Sequence, residues 1–272
     1  PVQRKIMSTV KENNVFNIAI EGNFDDCQNL VKAMFADKDF SNSINMSGVN
    51  SINWARIIAQ AVYYFYTYFL IKDKKSINFS VPTGNFGDVY AGYLSKKMGL
   101  PINKLIVATN KNDILHRAIS TGKYEVETVF ETNSPSMDIQ VASNFERLIY
   151  DLNDFDDIET KDVMIKIKDE GKYIFAKNRL EKIRKDFLSE SMNEDEVIET
   201  IKNIYDKYKV ILDPHTAIGL GALNKINIEG DNIVLATAHP CKFPDAIDKS
   251  ISIKPSLPSE LQYIMDKKEY YD

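Results

Sequence analysis

The chain has few of the residues from which disulfide frameworks and metal centres are built. It contains two cysteines, Cys27 and Cys241, which lie far apart, so we expect two buried or inert thiols. Its three histidines have no spacing that suits a metal ligand set. No Ser-His-Asp or Cys-His arrangement can be assigned from the sequence either. We therefore predict no metal ion in this chain.

Positive charge and long apolar runs are also scarce. The chain has 34 basic and 39 acidic residues and a net charge of -5, whereas nucleic-acid-binding proteins concentrate positive charge. The most apolar stretch, residues 57–71, is interrupted by Gln60 and is shorter than the roughly 20 residues that span a bilayer. Hydrophobic residues at 44% and charged residues at 27% are typical of a cytoplasmic enzyme that binds neither nucleic acid nor membrane.

Two common nucleotide-binding signatures are missing. No Lys-Ser or Lys-Thr follows a glycine loop, as ATP binding by a Walker loop requires, and the only G-x-G, at Gly219 and Gly221, lies late in the chain. Helix and strand patterns nevertheless alternate along the sequence, with strands predicted at residues 15–20 and 77–81 among others. This alternation predicts an α/β fold with a mainly parallel sheet.

A glycine-bearing loop between a predicted strand and a predicted helix is the most informative feature that is present. Residues 77–81 form an apolar run typical of a buried strand, and apolar residues at helical spacing follow from Val89. The first turn of a helix carries unpaired N–H groups and partial positive charge, which suits a phosphate dianion. A plain structural turn is the alternative. The loop consists of Gly84, Asn85, Phe86, Gly87 and Asp88.

A second strong helix pattern begins near residue 50 and carries candidates for another anion site. Asn50 or Ser51 is a natural N-cap for this helix. Arg56 follows them and can offer a bidentate fork to a phosphate. The sequence therefore predicts two anion sites, unless Asn50 and Ser51 serve only as caps and Arg56 is a solvated charge.

Together with three later segments, these two motifs resemble the threonine synthases of the longer type found in many bacteria and fungi, which are pyridoxal-phosphate enzymes of fold type II. The resemblance implies a tryptophan synthase β-like fold, in which an open, twisted, mainly parallel sheet is flanked by helices. It also implies pyridoxal 5'-phosphate as cofactor and O-phosphohomoserine as small-molecule substrate. The matching segments are NSINWARIIAQ at residues 50–60, PTGNFGD at 82–88, SPSMDIQ at 134–140, DPHTA at 213–217 and TAHPCKF at 237–243.

The resemblance assigns the two predicted anion sites to two different phosphates. Residues 84–88 would hold the phosphate of the cofactor through backbone N–H groups. Asn50, Ser51 and Arg56 match the motif that similar enzymes use for the phosphate of O-phosphohomoserine. The cofactor and the substrate would then be held by separate residues.

Thr237 matches the hydroxyl that meets the pyridine nitrogen of the cofactor in this family. A neutral hydroxyl there does not force protonation of the ring, and so tempers its capacity as an electron sink. On the sequence pattern alone, Thr237 is a strand-end residue after residues 233–236. We expect no catalytic role for His116 or for His215, which lies at a predicted helix start. His239 is the histidine closest to a candidate site residue, because it follows Thr237 by two positions.

One element of the family pattern has no match in this sequence. The resemblance implies a lysine that forms a Schiff base with the cofactor, in a Phe-Lys-Asp context upstream of Asn50. The nearest similar segment, residues 37–40, is interpreted as a charged helix end. We therefore expect no catalytic residue in this chain and interpret it as a C-terminal fragment that is inactive alone. Residues 1–48 would be the remainder of the small α/β domain, and residues 49–272 the large cofactor-binding α/β domain, with a polar helical segment near 153–208.

The expected activity is that of threonine synthase, which converts O-phospho-L-homoserine and water to L-threonine and phosphate in threonine biosynthesis. Two alternatives stay open. One is another fold type II lyase or dehydratase acting on an amino acid without a phosphate, although Arg56, Asn50 and Ser51 would then have no second dianion to bind. The other is a non-catalytic, threonine synthase-like protein that binds a phosphorylated ligand.

Overall fold

The computed structural model describes residues 2–22, 24–49, 53–72 and 76–272, and the chain divides into two compact units. Unit 1 contains residues 1–49 and 255–272, and unit 2 contains residues 50–254. Asn50 and Ser51, which the sequence places in the second anion site, lie outside the described residues.

Helices and strands alternate along much of the described chain. The strands are β1 (Ile77–Pro82), β2 (Ile102–Thr109), β3 (Lys123–Glu125), β4 (Lys172–Ile174), β5 (Phe187–Ser191) and β6 (Asp231–Val234). The helices are α1 (Val2–Ser8), α2 (Phe24–Ala36), α3 (Lys38–Ser43), α4 (Trp54–Leu70), α5 (Gly87–Lys97), α6 (Ile114–Thr121), α7 (Phe145–Leu152), α8 (Asp157–Glu170), α9 (Lys177–Asp186), α10 (Glu194–Tyr208), α11 (Pro214–Ile226), α12 (Pro244–Ile251) and α13 (Ser259–Gln262). Short 3-10 helices lie at Pro135–Met137 and Pro240–Lys242. None of the helices in the described ranges combines the length and apolarity needed to cross a bilayer.

A four-stranded sheet with the order β5-β2-β1-β6 lies at the centre of unit 2. Its neighbouring strands are all parallel, and Phe79 in β1 pairs with Leu105 in β2 and with Ile233 in β6. Every residue of β1 is buried, as is typical of a parallel strand covered on both faces. A separate antiparallel pair joins β3 to β4. The predicted α/β fold with a mainly parallel sheet is confirmed.

The apolar core of unit 2 divides into two clusters. The larger joins side chains of α4, α5, α6 and α7 to β1 and β2, and includes the buried rings of Tyr64, Phe79 and Phe145. The smaller joins side chains of α10, α11 and α12, and includes Ile218 and Ile247. Burial of each large apolar side chain contributes about 1.5–3 kcal/mol. The two clusters therefore hold the sheet and the starts of α5 and α11 in fixed positions.

The polar segment near residues 153–208 is not purely helical. It contains α8, α9 and α10, but Phe187–Ser191 forms β5, an edge strand that pairs with β2. Phe187 lies at a helical spacing from Leu180 and Ile183 but is the buried first residue of this strand, so the helical prediction is wrong for residues 187–191. The polar Ser-Glu-Ser sequence that follows is tolerated because an edge strand has a neighbour on one side only.

Unit 1 brings the two ends of the chain together. The amide of Tyr270 donates to Ser8 O at 2.6 Å. The guanidinium of Arg4 pairs with the carboxylate of Glu269 at 2.8 Å. Residues 255–272 therefore belong to the same unit as the N-terminal segment, whereas the sequence-based division assigned them to the large domain.

The segment at residues 15–20 is part of this junction. The amide of Ala19 donates to Asp272 O at 2.8 Å, and the amide of Asp272 donates to Asn17 O at 3.0 Å. These hydrogen bonds are too few to form a strand ladder, and the segment has no strand conformation. The strand predicted there is wrong.

Candidate functional site

The loop that follows β1 presents a row of backbone amides without hydrogen-bond partners. Pairing along β1 ends at Thr83, whose N–H donates to Ala108 O at 2.8 Å. Within the described part of the chain, the amides of residues 84–89 have no acceptor, and pairing resumes where Tyr90 N donates to Phe86 O at 3.1 Å. No side chain caps α5. Free amides at a helix N-terminus form an anion-binding site, because the donors and the helix dipole both favour negative charge.

The Phe86 side chain anchors this loop in the apolar core. Phe86 directly precedes α5, and its backbone is left-handed, with φ 62° and ψ 9°. Its fully buried ring packs against Phe145, with centroids 5.1 Å apart, and against Phe187 at 5.6 Å. A left-handed conformation costs a non-glycine residue free energy, which burial of the ring offsets. The ring therefore fixes the conformation of the loop backbone.

Gly84 is required by a close contact within the chain itself. A Cβ at this position would lie 2.8 Å from Ser136 O and 3.2 Å from Met137 Cα. Both atoms belong to the 3-10 helix at Pro135–Met137. Glycine at position 84 therefore sets how closely the loop and this 3-10 helix pack.

A hydrogen-bond network centred on Asp138 holds that 3-10 helix. One carboxylate oxygen accepts from Asn110 Nδ2 at 2.8 Å, Asn112 Nδ2 at 3.0 Å and Thr132 Oγ1 at 2.6 Å. The other oxygen accepts from the amide of Thr132 at 2.9 Å. Such a network is rigid when its members are satisfied. The role of Asp138 in placing the neighbour of Gly84 was not predicted from the sequence.

A cavity of about 620 Å³ lies at the carboxyl ends of β1 and β6. This volume lies within the range of about 300–1,000 Å³ that is usual for small-molecule sites, and the carboxyl ends of parallel strands are where open α/β sheets bind ligands. The predicted residues 84–88 and Thr237 therefore share one cavity. Its lining includes Gln60 and Tyr63 from α4, residues 82–89, Ser136 and Met137, His215 from α11, and Leu235, Ala236 and Thr237 after β6.

Two buried polar atoms of the cavity-lining residues lack hydrogen-bond partners. Among the described residues, Gln60 Oε1 and His215 Nε2 are buried with no partner, and both residues line the cavity. Leaving a buried polar atom unsatisfied costs about 1–3 kcal/mol, so such atoms indicate where a ligand or water binds. The cavity therefore suits a small ligand that carries an anionic group and further polar groups.

Comparisons with known proteins agree with this geometry. The family model described as "Threonine synthase, C-terminal" matches residues 216–272. A curated threonine synthase from Pseudomonas aeruginosa is 46% identical over 272 residues, which cover 98% of this chain and 58% of the relative. The chain belongs to the threonine synthase family. Its recognition from sequence motifs is confirmed.

Solved structures of threonine synthases superpose closely on this chain. One from Brucella melitensis, described as bound to PLP, has a TM-score of 0.92 and 46% identity, covering 99% of this chain and 58% of its own. One from yeast has a TM-score of 0.89 and 43% identity, covering 100% of this chain and 58% of its own. The predicted fold type II class is confirmed. The chain spans 58% of the length of these threonine synthases.

The helix that carries the predicted substrate-phosphate motif begins later than the sequence pattern indicated. The N-cap of α4 is Asn53, whose side-chain oxygen accepts from Ala55 N at 2.9 Å. The prediction that Asn50 or Ser51 caps this helix is wrong. The Asn53 side chain satisfies an unpaired amide of the first helical turn, and it lies closer to the apolar residues of the helix than positions 50 and 51 do.

Arg56 is the described member of this threonine synthase motif. It lies exposed in the first turn of α4 and is not among the described residues that line the cavity. Gln60, four residues further along α4, does line the cavity. The structure thus places Gln60 at the cavity, but not Arg56. The role of Arg56 stays a prediction.

Asp88 is a partly buried carboxyl group in the first turn of α5. Burial raises its pKa to about 6, although the hydroxyl of Tyr64, 3.3 Å from Asp88 Oδ1, lowers the pKa. The Tyr64 hydroxyl donates to the carbonyl of Asp88 at 2.8 Å. Burial, followed by the negative charge of Asp88, raises the pKa of Tyr64 well above its ordinary value. Asp88 therefore changes its charge at mildly acidic pH.

Replacing Asp88 with Asn is expected to change how stability depends on pH. The folded-state pKa of Asp88, about 6, lies above the ordinary value of 3.8, so the folded protein keeps a proton that the unfolded chain releases. This contribution is fully present below about pH 4 and is lost as the pH rises through about 6. Wild type should therefore lose about 3 kcal/mol relative to Asp88→Asn over this interval, measured by denaturant titration at each pH.

Asp245→Asn is the matched control, because Asp245 is also the second residue of a helix, α12, but is exposed. The stability of Asp245→Asn should follow that of wild type at every pH, because this variant keeps Asp88 and changes only an exposed side chain. Identical trends for the two variants would contradict the assignment of the effect to burial of Asp88.

Proposed function

We propose that this chain carries the cofactor-phosphate site and part of the substrate-phosphate site of a threonine synthase that acts in the cytoplasm. The reaction converts O-phospho-L-homoserine and water to L-threonine and phosphate. The observation that carries the proposal is the row of unpaired amides at residues 84–89, within the described residues, which shares one cavity with Thr237. Because the chain spans 58% of its relatives, the activity is proposed for the protein at their full length.

Pyridoxal 5'-phosphate fits the groups that this cavity offers. Its phosphate dianion suits the unpaired N–H groups and the helix N-terminus at residues 84–88. Its pyridine nitrogen suits the hydroxyl of Thr237, a neutral group that both donates and accepts. When bound, the cofactor supplies an electron sink for reactions at the carbons of an amino acid. The relative from Brucella melitensis, described as PLP-bound, supports this choice of cofactor.

Arg56 is the described residue that we propose for the phosphate of the substrate. A guanidinium stays charged and can give a phosphate two parallel N–H groups. Arg56 lies at the N-terminal end of α4, where the helix dipole adds partial positive charge. Asn50 and Ser51 stay proposed members of the same site. A positive group that holds the phosphate lowers the barrier to departure of the phosphate, because negative charge develops on the phosphate as its bond to carbon breaks.

Arg56→Ala is expected to raise the KM for O-phosphohomoserine roughly 10- to 100-fold, because a hydrogen bond to a charged group is worth about 1.5–3 kcal/mol. The Kd for pyridoxal 5'-phosphate should stay the same, since residues 84–88 and Thr237 hold the cofactor. Steady-state kinetics measure the KM, and a titration of cofactor absorbance measures the Kd. Both use a protein as long as the full-length relatives.

Arg56→Lys provides the matched control, because it keeps the charge but loses the planar fork. Its KM should lie between those of wild type and Arg56→Ala. Release of the cofactor by Arg56→Ala, with an unchanged KM, would show that the two anion sites have been assigned the wrong way round.

The proposed reaction is tested by measuring phosphate and L-threonine formed from O-phosphohomoserine by the protein with pyridoxal 5'-phosphate. Equal amounts of the two products support a threonine synthase. Turnover of serine or threonine, with no consumption of the phosphate ester, would indicate another fold type II lyase or dehydratase. Binding of the cofactor and the phosphate ester without any phosphate release would indicate a non-catalytic protein that binds phosphorylated ligands.

A further inference from the structure

His215 combines deep burial with an unpaired ring nitrogen in a cavity-lining residue. It lies in the first turn of α11, and 3% of its surface is exposed. Its Nδ1 lies 3.0 Å from Asp213 Oδ1, whereas its Nε2 is buried and has no hydrogen-bond partner in the part of the chain that the structure describes. Its ring packs against Phe243, with centroids 4.7 Å apart. From the sequence we expected no role for this histidine.

Asp213 determines which nitrogen of His215 carries the proton. A carboxylate can only accept hydrogen bonds, so the Nδ1 that faces it is the donor, and Nε2 of the neutral ring is left as an acceptor. Asp213 is itself held in place, because its oxygens accept from the amide of His215 at 2.9 Å and from the hydroxyl of Thr216. The orientation and the tautomer of the ring are therefore set before a ligand binds.

Capping of α11 does not account for an imidazole at position 215. Asp213 caps the helix by accepting from the amides of residues 215 and 216, which most residue types at these positions would provide. An apolar ring would fill the space against Phe243 without leaving a buried polar atom unpaired. The imidazole therefore leaves Nε2, an acceptor without a partner among the described residues, in a side chain that lines the cavity.

The cavity-lining residues offer acceptors as well as donors. Residues 84–89 offer N–H groups, whereas Gln60 Oε1 and His215 Nε2 are acceptors without partners among the described residues. An acceptor-only ligand, such as sulfate, would satisfy the amides and leave both acceptors unpaired. A ligand that carries a phosphate together with N–H or O–H groups satisfies both sets.

We propose that His215 contacts the ligand bound in this cavity, and that its Nε2 accepts a hydrogen bond from an N–H or O–H group. Asp213 is the positioning residue that holds the ring and its tautomer. The inference rests on the proposed function. In that reaction, the N–H and O–H donors are the amino group of the amino acid and the water that the reaction consumes.

The test follows the ring nitrogens of His215 by NMR during ligand binding. The 272-residue chain contains three histidines, so a sample labelled with 15N in histidine rings gives a simple spectrum. We would titrate pyridoxal 5'-phosphate alone and pyridoxal 5'-phosphate with L-threonine, and follow the backbone amides of residues 84–89 in a second, uniformly labelled sample. The Nε2 signal of His215 should shift in at least one titration, with the same midpoint as these amides. The assay measures binding, so turnover is not required.

Variants assign the signal and give a second measurement. His215→Asn removes the signal and should weaken ligand binding about threefold to tenfold, as expected for one hydrogen bond. His116→Asn is the control, because His116 lies against Ser189 Oγ at 3.1 Å and is not a lining residue of the described cavity, so the affinity should not change. If His215→Asn fails to fold by circular dichroism, His116→Gln and His239→Gln assign the signal by elimination.

The outcomes separate this inference from the proposed function. Shifts of the amides at residues 84–89 with no change at His215 Nε2, in both titrations, would overturn the inference and leave the cofactor site standing. A shift at His215 with unmoved amides would support the inference and remove the proposed phosphate site. No shift at either place would overturn both.

Discussion

Replacing Phe86 with Ala is expected to lower the free energy of unfolding of unit 2 by about 3–5 kcal/mol and to weaken the binding of pyridoxal 5'-phosphate. The ring is fully buried and packs against Phe145 and Phe187, so its removal leaves a void in the larger apolar cluster. Alanine also lacks the packing that offsets the left-handed backbone, with φ 62°. Residues 84–89 would then sample other conformations, and the preorganisation of their amides would be lost.

The single tryptophan makes the stability measurement straightforward. Trp54 lies on α4 in unit 2, so its fluorescence in denaturant titrations reports the unfolding of this unit. Phe187→Ala is the matched control, because Phe187 is also buried and contacts the same ring but belongs to β5. We expect a similar loss of stability and a clearly smaller loss of affinity. Equal losses of affinity would mean that Phe86 contributes only as a core residue.

Replacing Gly84 with Val is expected to weaken cofactor binding roughly 10- to 100-fold, which corresponds to the 1–3 kcal/mol typical of overpacking. The new Cβ would lie 2.8 Å from Ser136 O and 3.2 Å from Met137 Cα, and both are backbone atoms that cannot rotate away. The Asp138 network holds the 3-10 helix in place, so the loop must move instead. Displacement of the loop moves the amides that we propose for the phosphate, and a fluorescence titration with pyridoxal 5'-phosphate measures the effect.

Gly99→Ala is the control for a general loss of stability. Gly99 has a φ of +105°, and a Cβ added there would have no neighbouring atom within 4 Å, so alanine is strained without a clash. This variant should lose about 1–2 kcal/mol of stability and keep its affinity for the cofactor. Gly84→Val with wild-type affinity would show that the loop tolerates the displacement and would remove the proposed link between Gly84 and the cofactor site.

The loop at residues 84–88 was predictable because its signals are local. The apolar run at residues 77–81, the glycines at 84 and 87 and the helical spacing from Val89 lie next to one another in the sequence, and the structure has a strand, a loop and a helix in that order. Backbone amides at the start of a helix are unpaired whatever the rest of the fold does. The prediction of a site with free donors therefore needed no tertiary information, whereas the role given to Thr237 rested on the family resemblance.

Features whose partners are distant in sequence were missed. Phe187 follows the apolar residues Ile183 and Leu180 at a helical spacing, and only pairing with β2 makes it part of a strand. The network around Asp138 was missed because Asn110 and Thr132 reach its carboxylate only through the fold. His215 looked like an ordinary residue at a helix start, because the sequence does not reveal that its Nε2 is buried without a partner in a residue that lines the cavity.

The sequence by itself determined the α/β class, the family, and the position of the loop that offers free amides, since each depends on local periodicity or on contiguous motifs. The tertiary structure alone decided that Gly84 packs against Ser136, that the C-terminal segment joins unit 1, and that His215 and Gln60 bring unpaired acceptors to the same cavity as those amides. The reason is physical: steric contact and burial depend on which segments meet in space, and local residue patterns do not determine which distant segments come into contact.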